Sequence, residues 1–209
     1  SDAVDISARA HVDATAIADS TAVDLEGDTS IAAAVSVNAV SLDNEAIVGS
    51  GSTVTGDGIT IEAVTTDSET NDFAAGAFSV AGNQDGNAAI AGVAAVNVVD
   101  VDTTAMSADG TTLESSGDID LIAEHDMRIQ AIAASGGFSG EGEAIGAAIA
   151  INLVGRGPDG STTVASIGDP DATGPGAVVV ADGAVTVEAT HVTDMLDELT
   201  LPQVVEDEI

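Results

Sequence analysis

The chain has 209 residues, with 36 Asp and Glu against three Lys and Arg, a formal net charge of −33, and no cysteine. Such a surface repels nucleic acid and anionic lipid, and the missing thiols exclude a disulfide framework or any Cys-based zinc or iron–sulfur site. Acidic chains with few aromatics are usually disordered, but here 44% of residues are hydrophobic and they recur in order.

The opening "SDAVDIS" lacks an initiator Met and a signal-like segment, and reads as the middle of something longer. "AVDISARAH", with Ile6, is the first predicted strand. "TSIAAAVSVNAVS" follows, then the Gly-punctuated hinge "GSGSTVTGDG" and the strand "ITIEAV". "NDFAAGAFSVAG" and "NAAIAGVAAVNVVD" come next, then "SADGTTLESSGD", "IDLIAE" and "IQAIAASGGFSGEG". The last stretch holds "GEAIGAAIAINLVG", "GDPDATGPGAVVVADG" and "VTVEAT". "TDMLDEL" is the one predicted helix, stopped by Pro202.

These phrases repeat. Ile31, Ile90 and Ile145 step by 59 and then 55, and Asn38, Asn97 and Asn152 step identically. Ile61, Leu121 and Val187 mark a second series with Ile6 as an earlier copy, and Phe78 and Phe138 stand 60 apart. The unit is about 57 residues, in roughly three copies. "ITIEAV", "IDLIAE" and "VTVEAT" alternate apolar and polar, the two-residue period of a half-buried strand. The Ala/Val phrases also alternate, with Val35, Val37 and Ala39 on one side and Ser36 and Asn38 on the other.

The expected fold is therefore all-β: a β-solenoid (parallel β-helix) over 1–192, with 193–209 as a C-terminal extension, helical or linker. A β-sandwich is the alternative. In a stack the Ile and Val positions are expected to form buried ladders, with Ala and Gly letting sheets approach. The asparagines are expected to form a ladder at a bend, and Phe73, Phe78 and Phe138 to fill core. Two or three short coils of about 20–28 residues per unit fit the spacing; a single wide coil with long strands fits it too and would put the marker residues directly in contact.

"AAVNVVDVDTTA", followed by a Gly-rich hinge and "DIDLIAE", resembles the repeats of large bacterial filamentous adhesins of the leukotoxin-like and filamentous-haemagglutinin-like kinds. "EAIVGSGSTV" and "VASIGDPDATGPGAVVV" match the middle of such repeats best. The resemblance implies a secreted or surface-held β-solenoid shaft without enzymatic role, neighboured by further repeats of the same longer protein. The chain departs from that pattern in having no Lys and abundant Asp, which resembles the habit of salt-loving microbes. Exposed edge strands predict end-to-end self-association. Nucleic-acid partners and membrane insertion are not expected, since no apolar run approaches the roughly 18 residues of a spanning helix.

Candidate sites are few. Calcium is the one cofactor the acidic turns suggest, because Asp and Asn at alternate positions around Gly supply oxygen ligands. Asp85, Asp169 and Asp171 are the first choices, with Asn83 and Asn87 beside Asp85, and Asp100 and Asp102 as a further pair. A calcium- or other cation-binding extracellular module is thus the alternative function, and saturable calcium binding distinguishes it from a shaft. His125 and His191 hold equivalent places after the recurring strand, where the intervening copy has Thr65. No nucleophile elbow, phosphate loop or zinc-protease motif occurs. The acids lack the Trp and Tyr platforms of glycosidases, so no enzyme is expected.

Overall fold

The computed structural model describes residues 2–66, 69–156, 160–171 and 173–195. These residues form thirteen strands and no helix: β1 Val4–Ala10, β2 Ala14–Asp24, β3 Thr29–Val48, β4 Thr53–Gly56, β5 Ile59–Thr65, β6 Asn71–Asn83, β7 Ala88–Ser107, β8 Thr112–Ser115, β9 Ile119–Ser139, β10 Glu143–Val154, β11 Thr162–Ile167, β12 Val178–Ala181 and β13 Val185–Met195. Every pairing between them is parallel.

The strands make three sheets. A split sheet stacks β1, β5, β9 and β13 along one half, and β2, β6 and the second half of β9 along the other. A long sheet places β7 between β3 on one side and β10 and β11 on the other, and a short sheet stacks β4, β8 and β12. In each repeat the chain visits split sheet, long sheet and short sheet in that order. Partners lie one repeat apart: Val4 pairs with Ile59, 55 residues on, and Ile119 with Val185, 66 on. Ile31, Ile90 and Ile145 stand in one row and Asn38, Asn97 and Asn152 in another, so the marker residues of successive repeats lie side by side.

The uneven period comes from inserts. Val64 pairs with Glu124 but Asn71 with Met127, so the second repeat carries four extra residues between β5 and β6. That slip corrects the pairing expected of Phe78 and Phe138. Phe78 lies opposite Ala134, and Phe138 lies opposite Gly82, where a Cβ would meet its ring at 2.1 Å. Phe73 is core, 1% exposed, whereas Phe78 and Phe138 stand on the outer surface.

The interior changes character along the sheets. At the short-sheet end, Ile59, Ile61, Leu113, Ile119 and Leu121 pack with Ala46 and Ala105, joining side chains of all three sheets. Phe73, Val99, Val101, Met127 and Ile129 fill the middle. Toward the turns 24–28 and 83–87 the core shrinks to alanine, with Ala34, Ala75, Ala77 and Ala95 around Val93, and then Ala32, Ala81, Ala89 and Ala91. Ser30 Oγ donates to the Ala22 carbonyl and Ser36 Oγ to that of Ala16, both at 2.7 Å. A side chain as short as serine reaches the opposing backbone only if the sheets lie well inside the usual spacing of about 10 Å.

Asparagines tie this interior together. Asn38 Nδ2 donates to Asn97 Oδ1 (3.1 Å) and to the Ala14 carbonyl (2.9 Å), and Asn97 Nδ2 donates to the Phe73 carbonyl (2.7 Å). The amides thus link successive repeats, as expected of a ladder. They do so from mid-strand positions and not from a bend, because the carbonyls they reach belong to the facing sheet. Asn71 spans three repeats at the break between β5 and β6: its Oδ1 accepts the Val12 amide (2.7 Å) and its Nδ2 donates to the Asp126 carbonyl (3.0 Å).

Of the predicted helix "TDMLDEL", Thr193–Met195 belong to β13 and pair with Met127–Ile129. The remainder, with the rest of the C-terminal extension, lies outside the described residues.

Candidate functional site

The acidic turns come first, since sequence reasoning placed the candidate ligands there. Asp169 Oδ1 accepts the Asp171 amide (2.9 Å), and the Asp169 amide donates to Asp109 Oδ1 of the preceding repeat (3.1 Å). Asp169 and Asp171 therefore form one turn stacked on Asp109, beyond the end of β11. Asp85 is exposed in the turn at the other end of the long sheet. Its neighbour Asn83 is fully buried, its amide donating to the Ala88 carbonyl (2.6 Å). Among the described residues no group of three or more His, Asp or Glu converges as a metal site would require.

Several aspartates have a use that sequence reasoning missed: they accept backbone amides of the next repeat. Asp13 Oδ1 accepts the Asp72 amide (3.1 Å), Asp102 Oδ1 that of Thr162 (3.0 Å) and Asp118 Oδ1 that of Ala184 (2.8 Å). Each receiving residue sits where the chain enters or re-enters a strand, so its amide has no ladder partner and a carboxylate supplies one. The signal was present as an Asp one repeat before each strand start. Asp100, two residues before Asp102 within β7, accepts a longer contact from Ser161 Oγ (3.5 Å).

A cleft of about 540 Å³ lies on the outer face of the split sheet beside the four-residue insert. Glu62, Glu69, Glu124 and Asp126 line it with Thr65 and Thr70. Glu62 is paired with Arg9, and Thr70 Oγ1 donates to Asp126 (3.4 Å).

His125 and His191 do meet, in register, with ring centroids 5.5 Å apart. His125 is 2% exposed and its Nε2 has no partner among the described residues. Burial, and secondarily the charge of His191, lowers its pKa to about 4. Above an unfolded value of about 6.5 neither state binds the proton, so stability is unaffected there. Between about 6.5 and about 4 the unfolded chain takes up a proton that the folded chain refuses, and stability falls, by about 2 kcal/mol at pH 5. The His125→Leu variant should lose that slope while sharing every carboxylate titration. Denaturation curves that run parallel for the two proteins from pH 7 to 5 would dismiss the effect.

The most distinctive surface is the outer face of the long sheet. The expected burial of Ile and Val is inverted here: in β3 the inward residues are Ala32, Ala34, Ser36 and Asn38, while Ile31, Val35 and Val37 point out, 65%, 66% and 58% exposed. Closely spaced sheets admit only small inward side chains, so the larger ones face away. Register extends this across the repeats as five rows, Ile31–Ile90–Ile145, Ala33–Gly92–Ala147, Val35–Ala94–Ile149, Val37–Val96–Ile151 and Ala39–Val98–Leu153. No row contains a charged or polar side chain. Charge returns on either side of them, at Glu143 in the row before Ile145 and at Asp43, Glu45, Asp100 and Asp102 past the last row.

Comparison with known protein families, with characterised proteins and with solved structures finds no significant match.

Proposed function

We propose that this chain is a non-catalytic shaft segment of a longer, secreted or surface-exposed filamentous protein of the adhesin type. In this reading the circuits close into a β-solenoid of one wide coil per repeat. One observation carries it: every pairing in all three sheets joins equivalent positions of successive repeats. A chain so arranged grows along one axis by about 4.8 Å per repeat, and each repeat relies on its neighbour for backbone partners. The joint packing of all three sheets at the short-sheet end supports closure. Stacking also explains the acidic turns, which cap the following repeat and keep the shaft soluble. Neighbouring repeats of the same longer protein are its natural partners, end to end.

Pulling the chain from its two ends tests the mechanical role. A shaft should release one repeat at a time, each about 60 residues, lengthening by roughly 200 Å per step at about 3.4 Å per residue. Release of the whole chain in one event would remove the support for a repeat-by-repeat shaft.

A further inference from the structure

We propose that the uncharged outer face of the long sheet packs against the same face of a second copy, so that shafts associate side by side. A parallel sheet is normally covered on both faces. Here the split sheet covers the inner face, while the outer face carries five uncharged rows open to solvent. An apolar patch of several hundred Å² is as large as the largest one on a typical monomer, and such patches are often functional.

Charge selects the occupant. The chain carries −33, so a cationic partner would be drawn to the acidic turns and outer split sheet, and not to the one region without charge. A second copy meets like charge on the acidic surfaces and none within these five rows. The opposite surface is less suited, since Asp19 interrupts its apolar residues beside Phe78. Relief also favours self-packing: the row Ala33–Gly92–Ala147 is a groove flanked by the ridge Ile31–Ile90–Ile145 on one side and by Val35 and Ile149, with Ala94 between them, on the other. One copy's ridge can enter the other's groove.

Area sets the strength. Three strands at about 4.8 Å, each contributing ten residues at about 3.3 Å, offer on the order of 480 Å² per copy. A stable interface takes about 800 Å² per partner. Three repeats should therefore pair weakly, and a shaft with two or more further repeats should pair firmly.

The test is sedimentation equilibrium of the chain in roughly molar salt, where the screening length falls to about 3 Å, at concentrations up to the millimolar range. The expected result is a reversible dimer whose small-angle scattering shows a thicker and not a longer particle. The Val35→Lys/Ile149→Lys double variant should lower the association constant at least about tenfold, the cost of placing charge in an apolar interface. A Thr60→Lys/Thr186→Lys control on the outer split sheet makes the same charge change and should associate as well as the parent or better. Circular dichroism matching the parent verifies that both variants fold. The proposal is overturned if the chain stays monomeric throughout, if the face variant associates as strongly as the parent, if the dimer is longer and no thicker, or if the parent floats with phosphatidylcholine vesicles without pairing with itself.

Discussion

Replacing Ala95 by Leu should destabilise the protein by about 3 kcal/mol or more, while Ala94→Leu, one residue earlier, should stay within about 0.5 kcal/mol of the parent. The two alanines are neighbours in "GVAAVNV" and nothing in their local composition separates them. Ala95 is fully buried against Ala34, Ala75 and Ala77, in the region where serine hydroxyls already span the gap to the opposing backbone. Three added heavy atoms have no void to fill, so the sheets must part along several strands. Ala94 points outward between Val35 and Ile149, where Leu only adds to an apolar row. Thermal or denaturant unfolding at high salt, where self-repulsion is screened, measures both. A larger loss from Ala94→Leu than from Ala95→Leu would mean that the faces have been assigned the wrong way round, and equal losses that the inner face is no tighter than the outer.

That contrast marks the limit of what the sequence discloses. The repeat was legible because Ile31, Ile90 and Ile145 and the three asparagines keep one set of offsets, and those offsets are the strand register itself. The two-residue period was legible for the same reason. Which side faces inward was not. Alternation assigns the buried face to the more apolar side; here the inward side carries Ser36 and Asn38 among its alanines while the outward side is wholly apolar, and a one-residue choice reverses everything. Ordinary hydrophobic reasoning buries large side chains such as Ile31 and Val35 first, yet sheet spacing decided in favour of alanine, and that spacing is a property of two sheets together. Phe78 and Phe138 failed for a more local reason: a four-residue insert between β5 and β6 shifts the register of everything after it within that sheet.

The acidic residues show a similar division. Their number read as solubility and habitat, and their clustering around Gly suggested cation ligands. Asp13, Asp102, Asp109 and Asp118 meet backbone amides one repeat away, a relation visible only once the register is known. A carboxylate that accepts an amide left unpaired at a strand start removes a desolvation penalty of about 1–3 kcal/mol. Abundant Asp is thus compatible with an ordered stack, despite its poor standing in strands generally.

Asn97→Asp should be the most damaging single-atom exchange in the molecule. Asn97 is fully buried; its Nδ2 donates to the Phe73 carbonyl at 2.7 Å and its Oδ1 accepts from Asn38. A carboxylate there loses both donor hydrogens and turns a negative charge on a carbonyl oxygen, with only the Asn38 amide to receive it. Burial without donors raises a carboxyl by up to roughly 3–5 pH units, at about 1.4 kcal/mol each, so a loss of about 4 kcal/mol at pH 7 is expected. The sign of its pH dependence follows. With the folded value raised above the unfolded one near about 3.9, the folded state holds its proton more tightly. The variant therefore recovers toward the parent as pH falls to about 4, and its deficit grows as pH rises toward the folded value and levels off above it. An Asn97→Leu variant removes the same amide without adding an ionisable group. It should cost about 2 kcal/mol, from the Asn38 amide and Phe73 carbonyl left with fewer partners, at every pH. Stability curves measured from pH 4 to 8 for the two variants should converge at the acid end and separate toward neutrality. If they remain parallel, the ladder is wet enough to solvate a charge, and its amides contribute shape to the stack more than binding energy.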